Sequence, residues 1–478
     1  MRIRVALVAV VVAGVILRWW ALGHQGFWYD EAVTAWLLKG GIARLLVKLP
    51  HSESTPPLYY LLAWGWVRAF GLTEAGLRSL SAVAGTAAIP VAFAAARTLA
   101  GRRAGLATAA LVAVNPLLIW YSQEARAYAL LALLTALSLW AYARVRADPT
   151  PIRLAAWVAA AVVALATHYF AVFVVAPEVA LVLADRRVRL RARLVACTAI
   201  GLAAAALVQL ALVQRTRHYW FLRQPLPSRA EQVVRHFLVG FTPPAGRVAA
   251  VVAAVAVAVA VGGLLRRGGG ATRRAALPPA VIGVAAVAVP VLLAVAGVDY
   301  LNTRNVIGGL VPLAMVAGIG AAAPRAGRLG AAAIAVVAAV SVQVVVHLHD
   351  DPLAQRPGWN RVAAALAPGP PHAIRLEGSH TWARPLKWYL PRTGWLPARG
   401  ARLREIDVLR RLPTRGDCPR ATWWGADCDV AGHPALARPP QLGFVLAGRQ
   451  RVAGFEIARY RAPQPIWLAA DRGLLLER

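Results

Sequence analysis

Stretches of about twenty apolar residues recur along this chain with short arginine-rich segments between them, and that alternation leaves few architectures open. In hydrocarbon every backbone N–H and C=O needs an internal partner, so a run that crosses about 30 Å of lipid interior does so as a helix. Such runs fall near residues 3–22, 78–99, 104–121, 127–145, 194–214, 247–265, 277–297, 306–323 and 329–348, and two shorter ones near 152–167 and 168–184. The expected fold is a polytopic α-helical membrane protein with about eleven transmembrane helices. A chain that is 59% hydrophobic and only 15% charged is too apolar for a soluble globular protein of 478 residues.

The formal net charge of +32 raises nucleic acid as a partner, yet the arginines lie in clusters between apolar runs rather than along one polar face or tail. No nucleic-acid partner is expected, and the charge is read as topology and attraction to anionic lipid. With "MRIR" inside, "GRR" at 101–103, "RVRADPTPIR" at 144–153, "DRRVRLRAR" at 185–193, "RRGGGATRR" at 266–274 and "PRAGR" at 324–328 all fall on the cytoplasmic side. The parity survives only if "PPLYYLLAWGWVRAF" (56–70) does not cross. That segment is short and rich in Tyr and Trp, and reads as a helix lying in the outer interface. The N-terminal run resembles a secretory signal, but it continues through Trp19, Trp20 and Leu22 and is read as a retained first span.

Residues 1–348 therefore form a membrane domain with one long external loop, 23–77. After residue 348 the composition turns to Pro, Arg and Trp, with a helix-like piece near 358–367 and strand-like "LGFVLAG" and "FEIARYRA". Residues 349–478 are read as a small external α/β domain. Of three cysteines, Cys197 lies in an apolar run, whereas Cys418 and Cys428 are spaced to close a disulfide in an oxidising compartment.

Within the external loop, "GFWYDEAVTAW" (26–36) sets Asp30 beside Glu31. An ionisable pair near the membrane is costly unless it faces water or a site. One reading is that the pair opens a helix, Asp30 as N-cap and Glu31 favouring the dipole. Capping does not exclude chemistry. Other polar groups recur at external span ends: His51 and Glu53 in "HSESTPPLYY", Tyr121, Glu124, Arg126 and Tyr128 in "WYSQEARAYALL", His168 and Tyr169 in "THYF", and Asp299, Tyr300 and Arg304 in "DYLNTRN". Carboxylates joined with Arg, His and Tyr suit an acid/base centre beside a bound anion, since the guanidinium fork matches phosphate.

In order along residues 15–180, "FWYDEA", "STPPLYYLLAWGWVRAFG", "LRSLSAVAG", "NPLLIWYSQEARAYAL" and "THYFAVF" resemble the C-superfamily membrane glycosyltransferases related to the protein O-mannosyltransferase and aminoarabinose-transferase family, of actinobacterial type. Beyond residue 200 the likeness is topological, with "NTRN" a weaker form of the family's Arg element, and residues 349–478 carry no matching motif. The resemblance implies inverting transfer of a sugar from a polyprenyl-phosphate donor, at the outer face of the cell membrane, to a glycan, lipid or protein acceptor. It makes Asp30 the catalytic base and Glu31 its neighbour. Chemistry agrees that an acceptor hydroxyl needs a carboxylate in reach and that a leaving lipid phosphate needs cations. Donor phosphate contacts are expected from Arg126, Arg304, Tyr121, His168 and Tyr169, with His51 and Glu53 as acceptor or metal candidates. A divalent cation at Asp30, Glu31 and Glu53 fits hard oxygen ligands, but the arginines can neutralise phosphate without one. No Walker loop, dinucleotide turn or thiolate metal site is present. A transporter or lipid flippase is the alternative; it would place matched broken helices at the midplane, which the pattern lacks.

Overall fold

The computed structural model describes residues 2–214, 222, 224–241, 243, 245–351, 354–367, 369–377, 380–412, 441–471 and 473–477. Cys418 and Cys428, and with them the expected disulfide, lie outside the described residues. The chain divides into two compact units. One comprises residues 1–22 and 37–347, the other residues 23–36 and 348–478.

The first unit is helical. Among the described residues seven helices are long and apolar enough to cross a membrane, eight when the bent pair Arg102–Val114 and Pro116–Ser122 counts as one span. Pro151–Thr167 and Tyr169–Ala184 are shorter apolar helices. The sequence count of about eleven takes in those two, and also the helix Arg2–Trp19, which carries Arg2, Arg4 and Arg18. Segment 56–70 forms a helix only over Leu58–Phe70, 13 residues or about 20 Å, short of the lipid interior. Gly71, at φ +82°, ends it.

Local chemistry accounts for the bend. Asn115 accepts from the Leu118 N–H at 3.0 Å and so caps a new helix whose first residue is Pro116, and the axis turns by 60°. The carbonyls freed at the end of Arg102–Val114 find a cation: Arg18, fully buried, donates to Val112 O at 2.9 Å, Ala113 O at 2.6 Å and Gly14 O at 3.2 Å. An arginine inside an apolar helix is tolerated because it faces the bundle and is hydrogen-bonded there. Small residues let the helices close on one another. A Cβ at Gly85 would overlap the Ser122 hydroxyl and come within 3.2 Å of Arg18 Nε.

Among its described residues the second unit holds a six-stranded mixed sheet. Its strands are β1 (His372–Glu377), β2 (Gly394–Trp395), β3 (Ala401–Arg411), β4 (Val445–Val452), β5 (Phe455–Leu468) and β6 (Leu474–Glu477), in the order β2-β6-β1-β3-β5-β4. Only β1 and β3 run parallel. The strand-like pieces read at 442–448 and 455–462 become β4 and β5, and the helix read near 358–367 is Trp359–Leu366. Alternation sorts the strands onto two cores. Ile374, Leu376, Leu409 and Ile457 pack with Trp359, Trp382 and Phe455 on one face, whereas Ala373, Ile406, Val408 and Tyr460 pack on the other. A register shift between Leu403 and Glu405 moves Leu403 to the second face, so the acids Glu405 and Asp407 share the first face with Arg459 and Arg461.

Candidate active site

The two acids belong to the second unit. The helix Tyr29–Leu38 opens two residues earlier than a cap at Asp30 would require, which places Asp30 in its first turn. Glu31 does the capping instead: its Oε2 accepts from the Trp28 N–H at 3.4 Å, the reach-back half of a capping box. Glu31 is fully buried, whereas Asp30 is partly exposed. The Asp30 carbonyl accepts from Thr34 Oγ1 at 3.0 Å, one turn on. Neighbouring acids thus take different places, one turned inward to hold the helix start and one left partly exposed.

The first unit assembles the remaining candidates. After Ser122 the chain leaves helix over 123–127 and re-enters it at Tyr128, and this irregular stretch carries Arg126. Its guanidinium pairs end-on with Glu53, Nη1 to Oε1 at 2.9 Å and Nη2 to Oε2 at 2.8 Å, both side chains more than nine-tenths buried. Ser81 Oγ holds the Arg126 carbonyl at 3.3 Å. Tyr60 hydrogen-bonds Glu53 through its hydroxyl, and its ring lies 6.0 Å from the guanidinium. Thr55 Oγ1 donates to the same hydroxyl at 3.3 Å.

A file of rings continues from there. Tyr121 lies 4.8 Å from Tyr128, Tyr128 5.6 Å from His168, His168 5.2 Å from Phe170 and Phe170 5.8 Å from Tyr300, all within the range of aromatic contact. Arg304 sits 6.0 Å over the Tyr128 ring. Both Arg304 and Arg126 lie within electrostatic reach of buried His168. Arg126 and Arg304, from distant parts of the chain, therefore converge on His168.

Arg304 is placed by a turn with several anchors. Asn302 accepts from the Arg304 N–H at 3.2 Å, Asn305 Nδ2 donates to Tyr300 O at 2.8 Å, and Thr303 Oγ1 meets His236 Nδ1 at 2.9 Å. Burial pushes the His236 imidazole down to about 3, so this contact is made by a neutral ring. The same helix, Leu226–Val239, supplies Arg229, which binds Asp299 through both carboxylate oxygens, one at 2.8 Å, and donates to Leu301 O at 2.9 Å. Neither Arg229 nor His236 stands out in the sequence reading. The signal was there: Pro225 and Pro227 mark a helix start, and two polar residues seven apart share one face of the helix that follows.

The other candidates separate. His51 is exposed at the end of the helix Ile42–Ser52, whereas Glu53 is buried against Arg126, so the pair grouped by the sequence occupies two environments. Tyr169 donates from its hydroxyl to Gln214 Oε1 at 2.8 Å, and Gln214 in turn donates to Thr55 O at 3.4 Å. Among the described residues no three His, Cys, Asp or Glu side chains are grouped to hold a metal ion, and both Glu53 oxygens are taken up by Arg126.

Residues 54–212 match the family described as dolichyl-phosphate-mannose-protein mannosyltransferase. No curated protein sequence matches the chain. Among solved structures, ArnT from Cupriavidus metallidurans bound to undecaprenyl phosphate aligns with 95% of this chain and 97% of its own, at 14% identity and a TM-score of 0.53, a likeness of fold. The apo form of that protein gives a TM-score of 0.40 at 15% identity over the same shares. The apo oligosaccharyltransferase of Archaeoglobus fulgidus aligns over 73% of this chain and 55% of its own, at 15% identity and a TM-score of 0.44.

Proposed function

We propose that this multi-pass membrane protein, which has the fold of the C-superfamily glycosyltransferases and carries a mannosyltransferase-family domain over residues 54–212, moves a sugar from a polyprenyl-phosphate donor to an acceptor hydroxyl at the outer membrane face. The observation that carries this reading is the convergence of Arg126 and Arg304 on His168, with Arg304 also over the Tyr128 ring. Guanidiniums among aromatic rings offer a lipid phosphate both charge and apolar surface. The undecaprenyl phosphate bound by the ArnT structure supports a donor of this class.

In the reaction the acceptor oxygen attacks the anomeric carbon from the face opposite the phosphate, and its proton passes to the Asp30 carboxylate. The bond from the anomeric carbon to the phosphate oxygen breaks as the new glycosidic bond forms, which inverts the configuration. Polyprenyl phosphate leaves with the bonding electrons, and Arg126 and Arg304 stabilise the charge it gains. Glu53 holds Arg126 in place, and Glu31 holds the helix start that carries Asp30. The arginine parity supports an N-terminus in the cytoplasm and residues 349–478 outside it.

The test is transfer by purified protein in lipid, using a panel of labelled polyprenyl-phosphate hexoses and pentoses. Asp30→Asn keeps size and loses proton acceptance. It should lower turnover by about a hundred- to ten-thousandfold, with thermal stability within about 1 kcal/mol because the residue is partly exposed and Glu31 makes the cap. Near-normal turnover in a well-folded Asp30→Asn protein would refute the assignment.

A further inference from the structure

The segment that carries Asp30 is gripped on both sides of that residue by the C-terminal half of its own unit. Before it, Gln25 Oε1 accepts from the Arg356 N–H at 3.2 Å. A Cβ on Gly26 would come within 2.8 Å of Asn360 N, so only glycine passes there without displacing backbone. The Phe27 N–H donates to the Tyr389 hydroxyl at 2.6 Å, and the Phe27 ring meets Trp388 edge to face at 5.8 Å. Next to Asp30, the Tyr29 ring lies 5.5 Å from the Arg384 guanidinium. Beyond it, Trp36 meets the same Trp388 edge to face at 5.4 Å.

The helix Ala383–Tyr389 makes most of this grip. Arg384 and Trp388 are four apart and so stand on one face, one turn above the other. Trp388 contacts rings on either side of Asp30 in sequence, which fixes the path of the chain between them. The Glu31 to Trp28 hydrogen bond then fixes the first helical turn on that path. A carboxylate that takes a proton in a transition state is sensitive to displacement, and an error of about 1 Å costs about a hundredfold. Nothing in the membrane-spanning chemistry calls for a six-stranded sheet, but a base carried on a segment of some fourteen residues calls for a rigid mount.

We infer that Tyr389, Trp388 and Arg384 are positioning residues for Asp30, and that holding the base is the contribution of the C-terminal domain to the reaction. This rests on the reading of Asp30 given above.

The experiment uses the full chain in lipid nanodiscs and reads two things: amide hydrogen exchange across residues 26–34, and kcat and KM for the polyprenyl-phosphate sugar that the wild type uses. Tyr389→Phe removes the acceptor of the Phe27 N–H and leaves the ring. Trp388→Ala removes both edge-to-face contacts, and Trp388→Phe restores aromatic surface. The expected result is exchange across 26–34 faster by about tenfold or more in Tyr389→Phe and Trp388→Ala, kcat lower by about ten- to a hundredfold, KM for the donor within about twofold, and Trp388→Phe close to wild type on both measures. Unchanged exchange in Trp388→Ala overturns the inference, and so does faster exchange with kcat intact. If kcat and KM change together in every variant, including Trp388→Phe, the domain is acting on general integrity and the inference fails. Asp30→Asn that retains turnover, with exchange responding as expected, would instead defeat the reading of Asp30 as base and leave the grip on the segment established.

Discussion

Replacing Glu53 by Gln separates two tasks of the Arg126 pair that act in opposite directions. The Gln amide oxygen can keep one of the two hydrogen bonds, now at 2.9 and 2.8 Å, but the carboxylate charge is gone and a guanidinium more than nine-tenths buried is left without it. Removing one partner of a buried ion pair costs about 3–5 kcal/mol, and the retained hydrogen bond puts this case near about 3 kcal/mol. The Tyr60 hydroxyl loses the same carboxylate, which adds to the loss. If Arg126 also receives a lipid phosphate, the uncompensated guanidinium in the variant should bind polyprenyl phosphate more tightly. A tenfold gain in affinity raises the stabilisation by saturating ligand by about 1.4 kcal/mol. Thermal unfolding in detergent, with and without polyprenyl phosphate, reads both effects for wild type, Glu53→Gln, Arg126→Met and the double variant. The expected pattern is a large drop without ligand in Glu53→Gln, a larger shift by ligand than in wild type, and a much reduced shift in both proteins lacking Arg126. Equal shifts by ligand in all four would refute the phosphate role. An unchanged midpoint for Glu53→Gln without ligand would refute the energetic argument itself.

Three further outcomes follow from individual contacts. Gly85→Ala forces a methyl group against the Ser122 hydroxyl and toward Arg18, and should cost about 1–3 kcal/mol in the thermal unfolding of a membrane domain otherwise unchanged in sequence; a variant as stable as wild type would mean the helices there have room to part. Arg229, through its hydrogen bonds, holds the Asp299 carboxyl below the usual carboxylate range. Its contribution is therefore fully present above the unfolded value of about 3.9 and is lost as pH falls through the lower folded value, so Asp299→Asn should lose less stability than wild type between about pH 5 and about pH 3, and parallel losses would contradict the assignment. In a background without native cysteines, Arg189→Cys should react only with membrane-permeant reagents and Arg392→Cys with impermeant ones; the reverse labelling would sink the outer-face topology.

The apolar helices of the first unit were legible because they are dictated locally. Apolar run length and the shortness of 58–70 act through the solvent, which treats each segment separately, and the helix ends at Gly71 and Asn115 are set by single residues. The short strands of the C-terminal region were visible by their alternation, but their order was not, since β1 skips β2 to pair β3 and also pairs β6, the last strand of the chain. The grouping of Arg304, Tyr121, Tyr128 and His168 was legible as a set of polar residues at the ends of apolar runs. Its internal pairing was not. Nothing in "HSESTPP" says that Glu53 closes on Arg126 while His51 turns outward, and nothing in "DYLNTRN" names Arg229 as the partner of Asp299.

"FWYDEA" shows the division most sharply. Composition and spacing put two acids at a helix start, and that is where they are. Which acid caps the helix was decided by burial, because Glu31 has the extra methylene needed to reach back to the Trp28 N–H while Asp30 remains partly exposed. Which body the segment belongs to was decided by contacts with residues more than three hundred positions later, Asn360, Trp388 and Tyr389 among them. Period and propensity describe how a residue meets its own neighbours in the chain; the docking of residues 23–36 depends on surfaces that exist only once the distant sheet and its helices have folded, and so only the tertiary structure could settle it.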